Sequence, residues 1–293
     1  MSFIISKQQY LATSGQRSCY DSRFIDDANI DIENIKIYFG HPLYMVLNDI
    51  VYFKSDSRET FNVAAIPDGC MSIVFTREGD EINGYLCGVI DEIKKFTVNP
   101  NSEYIVMRFM PGSGDMIAGE SIGKYTNQSV HLENAVEWGK QVIGILGRDI
   151  PLNERIGFVS KVIRVHQNGK DPNYLVKYCV DRIINSKGNI KIDALASETG
   201  FTSRHIGKMF ERCVGIPPKL FSQIVRLQIS MTRILEDDDS LLVNIAMDSG
   251  FFDHAHMNRV YKKLIHCSSG EYRKNMFNNL DYSKMDCFIS NSK

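Results

Sequence analysis

The feature that most constrains this chain is an internal repeat in its last third. Residues 192–210 and 242–261 align at an offset of 50 residues. In both copies an alanine is followed four residues later by a glycine and then a phenylalanine: Ala196, Gly200 and Phe201 match Ala246, Gly250 and Phe251. A glycine can take the left-handed conformation of a tight turn, and the alanine lets the next helix pack closely. The repeat therefore predicts two helix-turn-helix units.

Polar residues at the start of the second helix of each copy support this interpretation. Thr202 or Ser203 can cap the helix in the first copy, and Asp253 can cap it in the second. Between the copies, residues 220–235 place apolar side chains along one helical stripe, which predicts a rigid helix joining the two units. Such a helix would fix their separation, and two units about 34 Å apart could enter successive major-groove turns of one DNA face.

The exposed face predicted for each of these second helices carries cations and hydrogen-bond donors. Arginine can pair with guanine and asparagine with adenine, whereas lysine mostly neutralises phosphate. A solvated helix face would explain either segment alone, but the matching placement favours DNA contact. The candidates are Thr202, Ser203, Arg204, His205, Lys208 and Arg212 in the first copy, and His254, His256, Asn258, Arg259, Lys262 and Lys263 in the second.

Other motifs argue against a metal or cofactor site. His254 and His256 have a spacing that binds metal on a strand, but on a helix residues two apart point about 200° away from each other. The seven cysteines are scattered and never form a CxxC pair, so we interpret them as reduced thiols. Gly112 and Gly114 lie in a GSG segment that lacks the lysine and the spacing of a phosphate loop. We predict no metal and no cofactor.

The charge differs between the two parts of the chain. Residues 1–169 hold 16 Lys+Arg and 21 Asp+Glu, a net charge of −5, whereas residues 170–293 hold 18 and 14, a net charge of +4. This asymmetry suggests a basic module carried by an acidic one, although chance unevenness is an alternative. The apolar stretches are shorter than the roughly 18 to 20 residues of a membrane span, and residues 1–20 lack a secretory pattern. We expect a cytoplasmic protein without membrane contact.

The first half of the chain has a β pattern. Short runs of β-branched and aromatic residues alternate with Gly, Pro, Asn and Asp turn signals, which predicts a sandwich or barrel. After Leu132 the spacing becomes helical on both sides of residues 149–151, so two helices should close this domain. We predict a first domain over 1–166, a polar linker over 167–172, a helical DNA-binding domain over 173–276 and a tail over 277–293.

The repeat region resembles the DNA-binding domain of the AraC/XylS transcription regulators over residues 190–273. The first motif is LASETGFTSRHIGKMFERCVGIPPKLF and the second is IAMDSGFFDHAHMNRVYKKLIHCSSGEYR. The resemblance implies a regulator, an activator rather than a repressor, that binds double-stranded promoter DNA and contacts RNA polymerase. It assigns base reading to Arg204, Gly207, Lys208, His254, Ala255, Asn258 and Arg259, with Lys262 and Lys263 near phosphates.

The chain departs from the family pattern at three positions. Gly207 lies where the family often has a longer polar side chain, so the first helix is expected to read fewer bases. His266 replaces a usual glycine, and Ser269 replaces a usual proline. These two departures predict a looser closing turn in the second motif.

The first domain resembles the cupin-like sensor domain of one branch of that family. The matching pieces are IPDGCMSIVF at residues 66–75 and VMRFMPGSGDMIAG at residues 106–119. The resemblance implies a cupin-like or jelly-roll β-barrel that can hold a small effector, followed by helices that can form a homodimer. Polar groups within apolar strands make Asp68, Cys70, Tyr85 and Arg108 candidate effector contacts.

Structural roles would also explain these four residues. Asp68 can simply make a turn, Cys70 can be an inert core residue, and Arg108 can pair with Glu103 or Asp115. The barrel could instead be a ligand-free oligomerisation or interaction module, or a cupin-type enzyme. The sequence has no GxSxG, HExxH, dinucleotide-loop or paired-carboxylate motif, so we predict no enzyme. The predicted fold class is a two-domain α+β protein.

Overall fold

The computed structural model describes residues 30–35, 37, 41–167, 173–236 and 240–277. The part of the first domain that it covers is built on two antiparallel sheets. The larger sheet has the strand order β1-β2-β7-β4-β5-β8, and the smaller pairs β3 with β6. The strands are β1 Ile30–Ile35, β2 Leu47–Ser55, β3 Phe61–Ala65, β4 Met71–Glu78, β5 Glu81–Cys87, β6 Lys94–Val98, β7 Ser102–Phe109 and β8 Ser129–His131.

Alternation along the strands gives the larger sheet two different faces. On β4, Ile73 and Phe75 are buried against the helices, whereas Val74 and Thr76, which alternate with them, are half-buried on the opposite face. The smaller sheet covers part of that opposite face, where Phe53 and Tyr104 join a separate apolar cluster. The two sheets thus enclose a space between them.

Two short helical segments precede β8: α1 Gly114–Ala118 and a 3-10 turn at Ile122–Tyr125. After β8 the chain is helical, in agreement with the change of period after Leu132, and forms α2 Leu132–Ala135, α3 Gly139–Leu146 and α4 Leu152–His166. The two predicted closing helices are α3 and α4, on either side of residues 149–151.

The second domain is helical over its described length. Its helices are α5 Tyr174–Asn185, α6 Ile192–Thr199, α7 Ser203–Cys213, α8 Pro218–Glu236, α9 Leu242–Asp248, α10 His254–Ile265 and α11 Ser269–Phe277. The predicted two-domain α+β class is confirmed, a β-rich domain preceding a helical one. In the described residues the strands form two separate ladders rather than one closed barrel. Residues 168–172 of the predicted linker and 278–293 of the predicted tail lie outside the described residues, and the domain boundaries stay predictions.

The two domains share one continuous hydrophobic core. Polar contacts also cross between them near the carboxyl ends of α7 and α10. Thr126 donates its hydroxyl to the carbonyl of Gly215 at 2.6 Å, and the backbone N–H of Ile93 donates to the carbonyl of Leu264 at 2.7 Å. The helical domain is therefore held against the β domain on the side where these helices end.

Candidate nucleic-acid interface

The first helix-turn-helix unit consists of α6 and α7. Helix α6 ends at Gly200, whose φ of 74° lies in the left-handed region. The Thr202 hydroxyl then accepts the backbone N–H of His205 at 3.2 Å and caps α7, as predicted. The apolar face of α7 is buried through Ile206, Phe210 and Cys213. The opposite face exposes Arg204, His205, Lys208 and Arg212 to solvent.

The second unit consists of α9 and α10 and repeats this construction. Gly250 has a φ of 85°, and the Asp253 carboxylate accepts the backbone N–H of His256 at 2.5 Å to cap α10. Met257, Val260 and Tyr261 are buried beneath the helix. The exposed residues are Ala255, Arg259, Lys262 and Lys263.

Two predicted base readers in the second unit are engaged inside the domain. Asn258 accepts both the backbone N–H of Ser269, at 2.9 Å, and its hydroxyl, at 2.8 Å. The imidazole Nε2 of His254 lies 3.2 Å from the Asn258 amide nitrogen and 3.1 Å from the Ser269 hydroxyl. These side chains therefore tie α10 to the first residue of α11, and both are only half exposed.

Two other predicted residues, His205 and His256, also have neighbours. His205 stacks on Phe201 with ring centroids 4.9 Å apart. His256 lies edge-on to Phe251, and burial, with the nearby charges of Arg226 and Arg259, lowers its pKa and favours a neutral ring. That His256 contacts DNA remains a prediction.

Arg212 and Lys263 differ in what their side chains contact. The Arg212 guanidinium lies 3.5 Å from the carboxylate of Asp115 in the β domain, whereas Lys263 donates to Gln223 of α8 at 3.3 Å. Arg212 thus spans the two domains.

The four candidate effector residues line a single cavity between the sheets, with a volume of about 340 Å³. The fully buried Arg108 guanidinium pairs with Asp49, through Nε at 2.7 Å and through Nη2, and with Asp68 at 2.6 Å. Of the two predicted alternatives, Glu103 pairs with Arg155 and Asp115 with Arg212, so the expected Arg108 partners were wrong. Asp68 also accepts the N–H of Cys70 at 2.8 Å, which is the turn considered from the sequence.

Comparison with known proteins locates two matching families. Residues 195–275 match the family described as a helix-turn-helix domain, and residues 41–131 match a domain of unknown function, DUF6597. The chain is 29% identical over 116 residues to the HTH-type transcriptional regulator MtrA of Neisseria gonorrhoeae, covering 40% of this chain and 37% of that protein. It is 25% identical over 103 residues to the probable transcription factor PqrA of Proteus vulgaris, covering 35% of this chain and 83% of that protein. The helix-turn-helix match takes in nearly all of both copies of the repeat.

Residues 195–275 form a helix-turn-helix domain of the AraC type. The resemblance seen in the sequence is thereby confirmed, and the matches indicate no catalytic family. A solved structure of ToxT from Vibrio cholerae aligns over 83% of this chain and 97% of its own, at 13% identity and a TM-score of 0.39. Of MtrA, the chain spans little more than a third.

The structure of the second unit explains two of the departures from the family pattern, at His266 and Ser269. His266 takes the left-handed conformation, with a φ of 60°, at the position where glycine is usual. Ser269 begins α11, and its backbone N–H donates to the side-chain oxygen of Asn258. A proline at this position would have no N–H and would need no acceptor. The closing turn, which we expected to be looser, is thus held by specific contacts. In the sequence, the only sign of them is that the usual glycine and proline are replaced.

Within the described residues, no helix is long and apolar enough to cross a membrane. The same part of the chain holds no group of three His, Cys, Asp or Glu side chains placed to bind a metal ion.

Proposed function

We propose that this chain is a sequence-specific transcription regulator that reads promoter DNA with α7 and α10. The observation that carries the proposal is the exposure of Arg204 and Lys208 on α7 and of Arg259 and Lys262 on α10, each opposite a fully buried apolar face. Phosphate contacts would supply most of the affinity and base contacts the specificity. From the family resemblance, the proposal includes activation through RNA polymerase and homodimerisation through the β domain.

We further propose that the β domain controls DNA binding through a turn shared by the cavity and α8. Asp68 lines the cavity, and its neighbours Pro67 and Gly69 contact α8. The buried amide of Gln228 donates to the Pro67 carbonyl at 2.6 Å. A side chain added at Gly69 would come within 2.6 Å of the Phe221 ring. A molecule in the cavity could therefore act on the helix that joins the two reading units.

The test is selection from a random duplex library by the full chain at two salt concentrations. We expect an asymmetric site with two boxes about one helical turn apart, and affinity that falls steeply with salt. A Lys208→Ala and Arg259→Ala double variant should lose the enriched site, whereas Lys54→Ala, on an exposed strand position of the β domain, should keep it. No enrichment at low salt would overturn the proposal.

Control by the turn has its own test. Gln228→Leu removes the hydrogen bond to Pro67 and replaces the amide with an apolar side chain of similar size at this buried position. We expect it to change DNA affinity of the full chain several-fold without altering the sequence of the selected site. Unchanged affinity and unchanged response to cavity ligands would contradict the coupling.

A further inference from the structure

The cavity between the two sheets has aromatic walls. Phe53 and Tyr104 stack with centroids 4.6 Å apart and ring planes within 7°. Tyr85 on β5 and Phe96 on β6 contribute two more rings to the lining. The face of an aromatic ring carries partial negative charge and attracts cations, most strongly away from water. The lining therefore suits an apolar ligand and favours a positive charge on it.

The buried charges at one end of the cavity also disfavour an anion. Among the described lining residues Arg108 is the only cation, and two carboxylates, Asp49 and Asp68, bind its guanidinium. The positive charge of Arg108 is therefore already engaged inside the protein. Burial raises the pKa of Asp68 against the opposing effect of Arg108.

A further carboxylate lines the cavity at the end of β4. Glu78 accepts the side-chain amide of Asn99 at 2.7 Å, a contact that orients the carboxylate without neutralising it. Ser72, Thr76 and Asn83 add neutral polar groups between Glu78 and the buried pair. An exposed carboxylate at the end of β4 and aromatic rings along the walls thus face the same cavity.

From these features we infer that the cavity binds a small organic cation, an ammonium or amidinium group carried on an apolar body. This inference rests on the proposed function because it names the ligand class of the cavity through which DNA binding would be controlled. A volume of about 340 Å³ suits a compact ligand with one or two rings. A carboxylate-bearing ligand of the same size would meet Glu78, and Arg108, the one cation among the described lining residues, is already bound by Asp49 and Asp68.

The experiment compares three probes of similar size by titration calorimetry on the full chain. They are benzyltrimethylammonium, its neutral isostere neopentylbenzene and the anion 4-phenylbutanoate. We expect the cation to bind about tenfold more tightly than the neutral isostere, and the anion to show no measurable binding. Equal or tighter binding of the anion, or no binding of the cation, would overturn the inference.

A matched pair of variants identifies the charge responsible. Glu78→Gln keeps the shape and the contact with Asn99, and it should weaken the cation about threefold while leaving the neutral probe unchanged. Glu81→Gln is the control, since Glu81 is paired with Glu78 across the β4–β5 ladder but lies outside the cavity lining. If both variants behave alike, Glu78 does not recognise the cation and the assignment is wrong.

The proposed DNA-binding function and the inferred ligand class of the cavity can be overturned independently. Selective binding of the cation by a protein that enriches no DNA site would overturn the regulator and leave the ligand class standing. Enrichment of a two-box site by a protein that does not prefer the cation would overturn the ligand class alone.

Discussion

The two helix-turn-helix units have the same backbone arrangement but stabilise it with different side chains. Within their second helices the copies align at an offset of 51, one more than in the turns, because Phe252 is an additional and almost fully exposed residue in the second turn. Gly207 then corresponds to Asn258, and Pro218 at the start of α8 corresponds to Ser269 at the start of α11. Proline has no N–H to satisfy, so the first unit needs no acceptor at Gly207.

The second unit satisfies the same positions with polar groups. Ser269 is fully buried and brings an N–H and a hydroxyl, and Asn258 accepts both. The glycine–proline pair of the first unit and the asparagine–serine pair of the second are therefore two ways to leave no buried N–H without an acceptor at these positions. It also means that Asn258 cannot be judged a base reader from its position alone.

The largest difference between the units is expected at their turn glycines. A Cβ at Gly250 would lie 2.5 Å from the Lys187 carbonyl oxygen, whereas a Cβ at Gly200 would meet nothing within 4 Å. Both positions have positive φ. Gly250→Ala should therefore cost about 2 to 4 kcal/mol of unfolding free energy and Gly200→Ala only about 1 kcal/mol. Urea unfolding of the full chain measures both, and equal losses would contradict the difference in packing.

The sequence predicted the turns and caps of both units but not these surroundings. Gly200, Gly250, Thr202 and Asp253 act within a few residues of chain, so a local pattern is enough to identify them. Lys187, which crowds Gly250, is 63 residues away in sequence, and no periodicity links the two.

The cavity shows the same limit. Asp68, Cys70, Tyr85 and Arg108 could be chosen because polar residues stand out in apolar strands, and they do line one space. Their partner Asp49 is 59 residues before Arg108, and only the pairing of β2 with β7 brings the two opposite each other. Strand β6 begins with Lys94 and Lys95, so its local pattern does not distinguish it from a surface loop.

The second prediction tests the pairing of Asn258 with Ser269. Asn258→Ala removes the acceptor of a buried N–H and hydroxyl, so we expect a loss of about 1 to 3 kcal/mol in unfolding free energy. In a Ser269→Pro background, which removes both donors, the same change should cost well under 1 kcal/mol. A double-mutant cycle by chemical denaturation gives the coupling. Additive losses would show that the contact does not stabilise the second unit.

The third prediction concerns DNA and compares residues at equivalent positions of the two helices. Arg259→Ala should cost about 1 to 3 kcal/mol of binding free energy and relax the base preference of one box, because the guanidinium fork can pair with a guanine. Lys208 occupies the corresponding place in α7, and Lys208→Ala should relax base preference less, since an ammonium lacks that planar fork.

Lys263→Ala is the control for charge alone. It should weaken all sequences alike and lower the slope of affinity against salt by about one. Binding titrations on the selected site and on scrambled duplexes at several salt concentrations separate the three variants. Equal losses on every sequence for Arg259→Ala and Lys263→Ala would refute the assignment of Arg259 as a base reader.

The smallest effect is expected where the second unit keeps a strained residue. His266 corresponds to Gly215 in the first unit, and both have positive φ, 60° and 97°. His266→Gly should raise the unfolding free energy by about 0.5 kcal/mol, because relief of the left-handed conformation outweighs the greater freedom of glycine in the unfolded chain. The change also removes the contact of the His266 ring with Glu92, 3.2 Å away and exposed, which is worth little. Glu92→Gln measures the contribution of that contact separately. If His266→Gly lowers the unfolding free energy by more than Glu92→Gln does, the histidine instead stabilises the packing of the closing turn.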